Sequence, residues 1–280
     1  MLDSRPRRSV LYMPAANARA IAKARTLACD CVILDLEDAV APEAKPAARA
    51  AAVAAVQAGG WCEREVLLRV NGLATAWSSD DFAAAVGAGV AGIVVPKIDS
   101  VADVAEAVRR AGGVPVWAMI ETARGVLAAD GIAAVPGAAA LVAGMADLGA
   151  DLGAKPGNDR LPLLYSLSRI VLAARAAGVL AFDGVFTDIN DTSGCEIEAL
   201  QGAAFGFDGK TLIHPSQIAI ANRVFAPSAA EIDDACGLIA ASEAALADGR
   251  GVTTYKGKLV EVLHVAAARR LLGAAAMCFI

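Results

Sequence analysis

One pattern recurs eight times along this chain and leaves little freedom in how it folds. A short run rich in Val, Ile and Leu ends in polar or charged residues, and an alanine-rich amphipathic stretch follows it. The runs are SVLYMP at Ser9, CVILDLED, EVLLRVN, GIVVPK, PVWAMIE, AALVAGMAD, FDGVFTD and finally GKTLIHP at Gly209. Continuous apolar strands are buried on both faces, as in a parallel sheet covered by helices. Eight such units predict a closed (β/α)8 TIM barrel, with an open doubly wound sheet as the alternative. A barrel of this kind takes about 250 residues, so it accounts for most of the 280 present. The barrel is expected over residues 1–227, with a C-terminal helical extension over 228–280. Within the extension, 229–248 and 260–272 read as helices and 249–258 as a glycine-rich, basic connection. Such an appendage would serve as a lid or as an element exchanged with a neighbouring subunit.

Composition narrows the function classes. A hydrophobic content of 57% and a mean hydropathy of +0.53 owe much to alanine. The longest uncharged run, Gly131 to Ala146, is interrupted by Pro136 and falls short of the roughly 20 apolar residues that a membrane span needs. No signal peptide is legible, so a cytoplasmic protein is expected. A net charge of −5 argues against a nucleic-acid partner, which calls for a basic face. The six cysteines have no metal-type spacing and read as buried small hydrophobes. His214 and His264 stand far apart, which excludes a zinc cluster. GAGVAG at Gly87–Gly92 matches GxGxxG in form, but it precedes a strand where the dinucleotide fingerprint follows one.

The polar residues sit at the ends of the apolar runs, and in a barrel those strand ends face one mouth. Asp35, Glu37, Asp38, Arg69, Asn71, Lys97, Glu121, Asp147, Asp188 and His214 should therefore converge. Glu121 and Asp147, at successive strand ends beside small residues, either cap helices and pair with bases or hold an ion. Magnesium takes few protein carboxylates and completes its shell with water and substrate oxygens. Arg69, set among apolar residues, needs an anionic partner such as Glu37 or Asp38, and its fork also suits a substrate carboxylate or a developing enolate. Lys97 and Lys210 admit a rival Schiff-base chemistry or ordinary ion pairs. His214 reads first as a structural, hydrogen-bonded histidine. Lys45 and Arg49, one turn apart on a helix, share a face that is either solvated or turned to a phosphate.

The blocks RSVLYMP, VILDLEDAV, KPAAR, RVN, VPK, MIET, GMADL, DGVFTDIND and GFDGKTLIHPSQI occur in one order. In that order they resemble the citrate lyase beta-subunit-like branch of the HpcH/HpaI aldolase family, over residues 8–217. The resemblance implies a (β/α)8 barrel, usually trimeric or hexameric, that binds Mg²⁺ (or Mn²⁺) and a coenzyme A thioester as substrate. It also implies Glu121 and Asp147 as metal ligands, with Glu121 also touching substrate. Arg69 becomes the substrate-binding, catalytic arginine, and Lys45 and Arg49 become coenzyme A contacts. Relatives carry a catalytic aspartate in a tail motif resembling G-x-x-(V/I)-D-x-P. Here the tail reads Gly257-Lys258-Leu259-Val260-Glu261-Val262-Leu263: glutamate replaces aspartate and the proline is absent. Glu261 is then either the base or an exposed residue that starts the last helix.

The function so implied is a magnesium-dependent retro-Claisen lyase. It would cleave a 3-hydroxy-carboxyacyl thioester of citramalyl-CoA, malyl-CoA or citryl type to an α-keto acid and an acyl thioester. The alternatives are a metal-dependent aldolase acting on a free hydroxy-keto acid, and a non-catalytic thioester-binding protein or citrate lyase complex subunit.

Overall fold

The computed structural model describes residues 5–157 and 159–278. Eight strands form in the expected places: β1 (Ser9–Pro14), β2 (Cys31–Asp35), β3 (Glu65–Arg69), β4 (Gly92–Val95), β5 (Val116–Ile120), β6 (Ala138–Ala143), β7 (Leu180–Asp183) and β8 (Gly209–Leu212). All neighbours pair in parallel, and β8 returns to β1, so the sheet closes into a barrel. The open-sheet alternative is thereby excluded. The helices that follow the strands are α1 (Ala18–Ala24), α2 (Lys45–Gln57), α3 (Ser78–Ala88), α4 (Val101–Ala111), α5 (Ala123–Ala133), α6 (Met145–Asp151), α7 (Leu164–Ala177), α8 (Thr192–Phe205) and α9 (Ile218–Val224). Polar N-caps start several of them: Asn17, Ser100, Thr122 and Asp191 each accept a hydrogen bond from the first turn, satisfying an otherwise orphaned N–H.

The barrel interior follows the period of two that governs side chains on a strand. Val10, Cys31, Ile33, Leu67, Trp117, Met119, Ala140, Val142 and Phe182 fill it, and Trp117 stacks on Phe182 with ring centroids 4.4 Å apart. A step of two residues from this core leads upward on three strands, from Ile33 to Asp35, from Leu67 to Arg69 and from Met119 to Glu121. The same parity that buries the apolar residues therefore aims these polar ones along the barrel axis at the C-terminal mouth.

Two details differ from expectation. The seventh run was read from Phe182 through Asp188, but β7 spans Leu180–Asp183 and the remainder is loop. Its end coincides with Gly184, where a β-carbon would lie 2.8 Å from the Ala143 carbonyl oxygen. Of the cysteines, Cys29, Cys31 and Cys195 are buried as expected, whereas Cys62 and Cys236 are exposed; all five are free thiols. The side chain of Cys278 lies outside the described residues.

The chain divides into two compact units. Residues 7–222 make the barrel unit. The second contains Arg5, Pro6 and the described residues from Arg223 on, with α10 (Ala229–Ala247), β9 (Thr253–Tyr255), β10 (Lys258–Val260) and α11 (Val262–Cys278). The glycine-rich, basic connection expected over 249–258 contains most of an antiparallel hairpin, β9 paired with β10. Lys256 and Gly257 turn it, both with positive φ, the backbone that a two-residue hairpin loop requires. Tyr255 lies against Gly237 of α10, leaving no room for a β-carbon there. No helix among the described residues is long and apolar enough to cross a membrane.

Candidate metal and substrate site

A cavity of about 400 Å³ opens at the mouth of the barrel, lined in part by Tyr12, Asp35, Arg69, Glu121, Gly144 and Asp147. Asp35 and Arg69 are register partners on β2 and β3. Their side chains close a bidentate pair, Nε to Oδ1 at 2.6 Å and Nη2 to Oδ2 at 2.7 Å. Arg69 Nη1 also lies 2.8 Å from Glu37 Oε2 and 3.3 Å from Asp38 Oδ2. The Asp38 contact is a hydrogen bond; the Glu37 contact is an ion pair only, because Glu37 Oε2 is buried with no hydrogen-bond partner. The guanidinium packs 4.9 Å from the centroid of the Tyr12 ring. A planar fork held on one edge by a buried carboxylate is rigid and keeps an acidic mouth from being uniformly negative.

Glu121 leaves β5 almost fully buried. Its Oε1 accepts the backbone N–H of Lys97 at 2.7 Å, and Lys97 adopts a left-handed backbone, φ 53°, to present that donor. Gly144, at the end of β6, lies so close that a β-carbon would overlap the Glu121 carboxyl. Glycine there lets Glu121 reach toward the start of α6, where Asp147 sits in the first turn. Negative charge is favoured at that helix end. Thr122 caps α5 immediately after Glu121 and donates to Asp99 Oδ1 at 2.5 Å, which fixes the strand end.

Electrostatically the acids crowd one another. Burial, with repulsion from Glu37 and Asp147, raises the Glu121 pKa to about 7. Burial also raises Glu37 to about 7, against the pull of Arg69. Burial works against the charged form of Lys97, yet Glu37, Asp147 and Glu121 outweigh it and hold its pKa above the ordinary lysine value. A charged, half-exposed ammonium is a poor Schiff-base nucleophile. Lys210 is poorer still, since its Nζ is buried against Asp183 Oδ2 (3.0 Å), Glu198 Oε1 (2.6 Å) and the Gly184 carbonyl oxygen (2.6 Å).

Among the described residues, no three His, Cys, Asp or Glu side chains cluster tightly enough to hold a metal alone. Two carboxylates on one cavity fit magnesium better than zinc, because magnesium retains waters and accepts substrate oxygens. The raised pKa of Glu121 fits the same ion, since a divalent charge relieves the repulsion between Glu121 and its neighbours.

The other predicted residues fall elsewhere. Asn71 is buried and donates to Asp81 and to the Leu36 carbonyl. Asp188 accepts from Asn190 N–H, and exposed His214 caps the turn that carries Gln217. None of these three lines the cavity. Lys45 is buried: its Nζ donates to the carbonyls of Leu36 (2.9 Å) and Glu37 (3.0 Å) and stands 5.1 Å from the Trp77 ring. Arg49 pairs with Asp81 at 2.7 Å and Asp80 at 3.1 Å. The reading of Lys45 and Arg49 as a freely solvated face is therefore corrected; both are tied internally. Glu261 belongs to the second unit. It precedes α11, its N–H donates to His264 Nδ1, and it lines a cavity of about 300 Å³ within that unit. Tyr12 and the Asp35–Arg69 pairing were missed from sequence, although their common strand parity with Val10, Ile33 and Leu67 carried the signal.

A barrel whose C-terminal mouth gathers an acid pair, a clamped arginine and an aromatic wall is a (β/α)8 protein with its polar side chains placed where such barrels build their active sites. The chain belongs to the HpcH/HpaI aldolase/citrate lyase family, whose profile matches residues 8–215. It is 44% identical over 273 residues to a (3S)-malyl-CoA thioesterase of Cereibacter sphaeroides, covering 98% of this chain and 96% of that protein. An L-malyl-CoA/beta-methylmalyl-CoA lyase of the same organism is 35% identical over 295 residues, covering 94% and 92%. The protein CitE of Mycobacterium tuberculosis, solved with magnesium, acetoacetate and coenzyme A, superposes with a TM-score of 0.82 at 34% identity, covering 97% of this chain and 98% of that one.

Proposed function

We propose that this chain is a magnesium-dependent lyase that breaks the carbon–carbon bond of a 3-hydroxy-carboxyacyl thioester of coenzyme A. Substrates of malyl-CoA, citramalyl-CoA or citryl type would yield an α-keto acid and an acyl thioester. The observation that carries this reading is the convergence of Glu121, Asp147 and Arg69 on one cavity; the names of the relatives supply the thioester. Glu121 and Asp147 would hold Mg²⁺, with Mn²⁺ as a substitute. When bound, the ion acidifies the substrate hydroxyl and polarises the carbonyl that forms. Arg69, oriented by Asp35, would bind the substrate carboxylate or the enolate oxygen. Glu261 would take the hydroxyl proton while the electrons of the breaking bond pass to the thioester enolate. Arg49 would meet coenzyme A through its partly exposed guanidinium, and Lys45 through the Leu36–Glu37 backbone that it anchors. Loss of both cations should raise KM for the thioester more than it lowers kcat.

A second reading, hydrolysis of the same thioester, is favoured by the 44% identity to malyl-CoA thioesterases. Water would then attack the thioester carbonyl and coenzyme A would leave as the thiol. One experiment separates the two. Malyl-CoA and citramalyl-CoA are incubated with purified protein and Mg²⁺, with free thiol and α-keto acid measured together. Keto acid without thiol marks the lyase; thiol without keto acid marks the thioesterase. Neither product would point to a thioester-binding protein or to a subunit that works only in a citrate lyase complex.

We further propose that the chain works as a homo-oligomer in the cytoplasm. Val262, Leu263 and Val252 are 84%, 62% and 61% exposed on either side of Glu261, an apolar surface suited to covering by a second copy. Five free thiols fit a reducing compartment.

A further inference from the structure

Tyr12 carries a hydroxyl that the fold brings to the mouth of the barrel and leaves with only a weak acceptor. Its side chain shares the inward parity of Val10, two residues earlier on β1, and packs on the interior core. It pairs in register with Ile33, one inward-facing layer below Asp35 and Arg69. In a closed ring of eight strands β1 and β5 stand opposite each other. The phenol crosses that gap, with its oxygen 3.7 Å from Met119 Sδ on β5. The hydroxyl therefore lies inside the barrel, on the floor of the cavity lined by Arg69, Glu121 and Asp147.

Met119 is its only hydrogen-bond partner among the described residues, and a thioether is a weak acceptor. Arg69 and Thr211, the cavity's other N–H and O–H side chains, bond oxygen acceptors instead. Thr211 donates to the Asp183 carbonyl at 2.9 Å, and Arg69 turns Nε, Nη1 and Nη2 to Asp35 and Asp38. Burial raises the Tyr12 pKa against the pull of Arg69, so at neutral pH the phenol is a donor. Such a donor gains most from a charged acceptor, because a hydrogen bond to an ion is about twice as strong as one between neutral groups. The Arg69 guanidinium stands over the same ring, so an anionic oxygen is drawn to the wall that Tyr12 forms.

We propose that Tyr12 is a substrate-contact residue whose hydroxyl turns from Met119 to donate to an anionic oxygen of the ligand. That oxygen belongs to a carboxylate or to the oxyanion that develops on the thioester. Arg69 supplies the charge and Tyr12 a directed, uncharged second donor. This rests on the thioester-processing reading above.

Tyr12→Phe tests it, because the change removes the hydroxyl and keeps the ring against Arg69. Calorimetry with Mg²⁺ and pyruvate, glyoxylate or oxaloacetate reads a carboxylate contact; turnover of malyl-CoA and citramalyl-CoA reads an oxyanion contact. A carboxylate contact should weaken binding of the 2-oxo acids about tenfold or more. An oxyanion contact should leave those affinities within about threefold and lower kcat about 100-fold. In both cases the ligand-free melting temperature should stay within about 2 °C of wild type. Affinities and kcat that all stay within about threefold would overturn the proposal. So would a loss of activity matched by a fall of several degrees in the ligand-free melting temperature, since the hydroxyl would then serve the fold through Met119. Wild-type protein that neither binds these acids nor turns over the thioesters would instead overturn the thioester-processing reading, and the role of Tyr12 with it.

Discussion

Glu121 carries the costliest charge at the barrel mouth, because burial and its acidic neighbours both disfavour its ionised form. With the metal absent, Glu121 and Glu37 hold protons up to about pH 7, whereas an unfolded glutamate releases its proton near 4.3. The folded metal-free state thus binds more protons over that window. Its stability from these groups is present at low pH and is lost as pH rises through about 7. Metal binding would run the other way, since it needs Glu121 ionised. Apparent Mg²⁺ affinity should fall about tenfold for each pH unit below 7 if one proton is displaced. In Glu121→Gln, the metal-induced rise in melting temperature should disappear along with Mg²⁺-dependent turnover, and the pH dependence of stability should shrink to the part that Glu37 contributes. Melting curves at pH 5 to 8, with and without Mg²⁺, check this. A wild-type midpoint that ignores Mg²⁺ at pH 8 would remove Glu121 from the metal site.

At the scale of elements, what matters is how the loops above the strands are held. Lys45 ties α2 to the loop after β2, and Arg49 reaches Asp81, which also accepts Asn71 Nδ2. The Arg160–Asp183–Lys210–Glu198 network ties the segment before α7 to β7, β8 and α8. Truncating one member of a buried ion network strands its partners, at about 3–5 kcal/mol. Lys210→Met leaves Asp183 and Glu198 with Arg160 alone, so urea denaturation should show a loss of that order. A loss under 1 kcal/mol would mean that water or relaxation replaces the ammonium. Lys210→Met with Asp183→Asn and Glu198→Gln, which removes the stranded charges as well, should recover part of the loss.

At the scale of the whole molecule, the proposed role of Glu261 can be tested both within one chain and between chains. In the proposed reaction Glu261 takes the role that the resemblance gives to a catalytic aspartate, with a side chain one methylene longer and no proline in the motif. Glu261→Gln should lower kcat about 100-fold or more with substrate binding retained, and Glu261→Asp should keep substantial activity. Mixing Glu261→Gln subunits with Arg69→Ala subunits tests donation in trans. Neither parent should turn over, and a mixed oligomer with one intact pairing should recover part of the wild-type rate. No recovery despite demonstrated subunit exchange would confine the base to its own chain or to another residue.

Much of this architecture was legible without coordinates, and the reason is periodicity. Eight apolar runs with a charged end and a helical sequel specify a covered parallel sheet, and their number points to a barrel, whose closure is decided by the pairing of β8 with β1. The rule that strand ends meet at one mouth then brought Arg69, Glu121 and Asp147 onto one cavity. Partnership within the site was legible only in part. Arg69 does pair with Glu37 and Asp38 as expected, but that Asp35 also closes a bidentate pair with it depends on strand register. That Lys45 and Arg49 turn inward depends on which backbone oxygens and carboxylates α2 passes. The hairpin at Thr253–Val260 hid behind glycine and lysine, because short strands carry too few residues for alternation to register. Local pattern is written in single side chains and survives in the sequence. Pairing, burial of charge and the shape of the cavity at the mouth arise from residues far apart in the chain, and only their packing determines them.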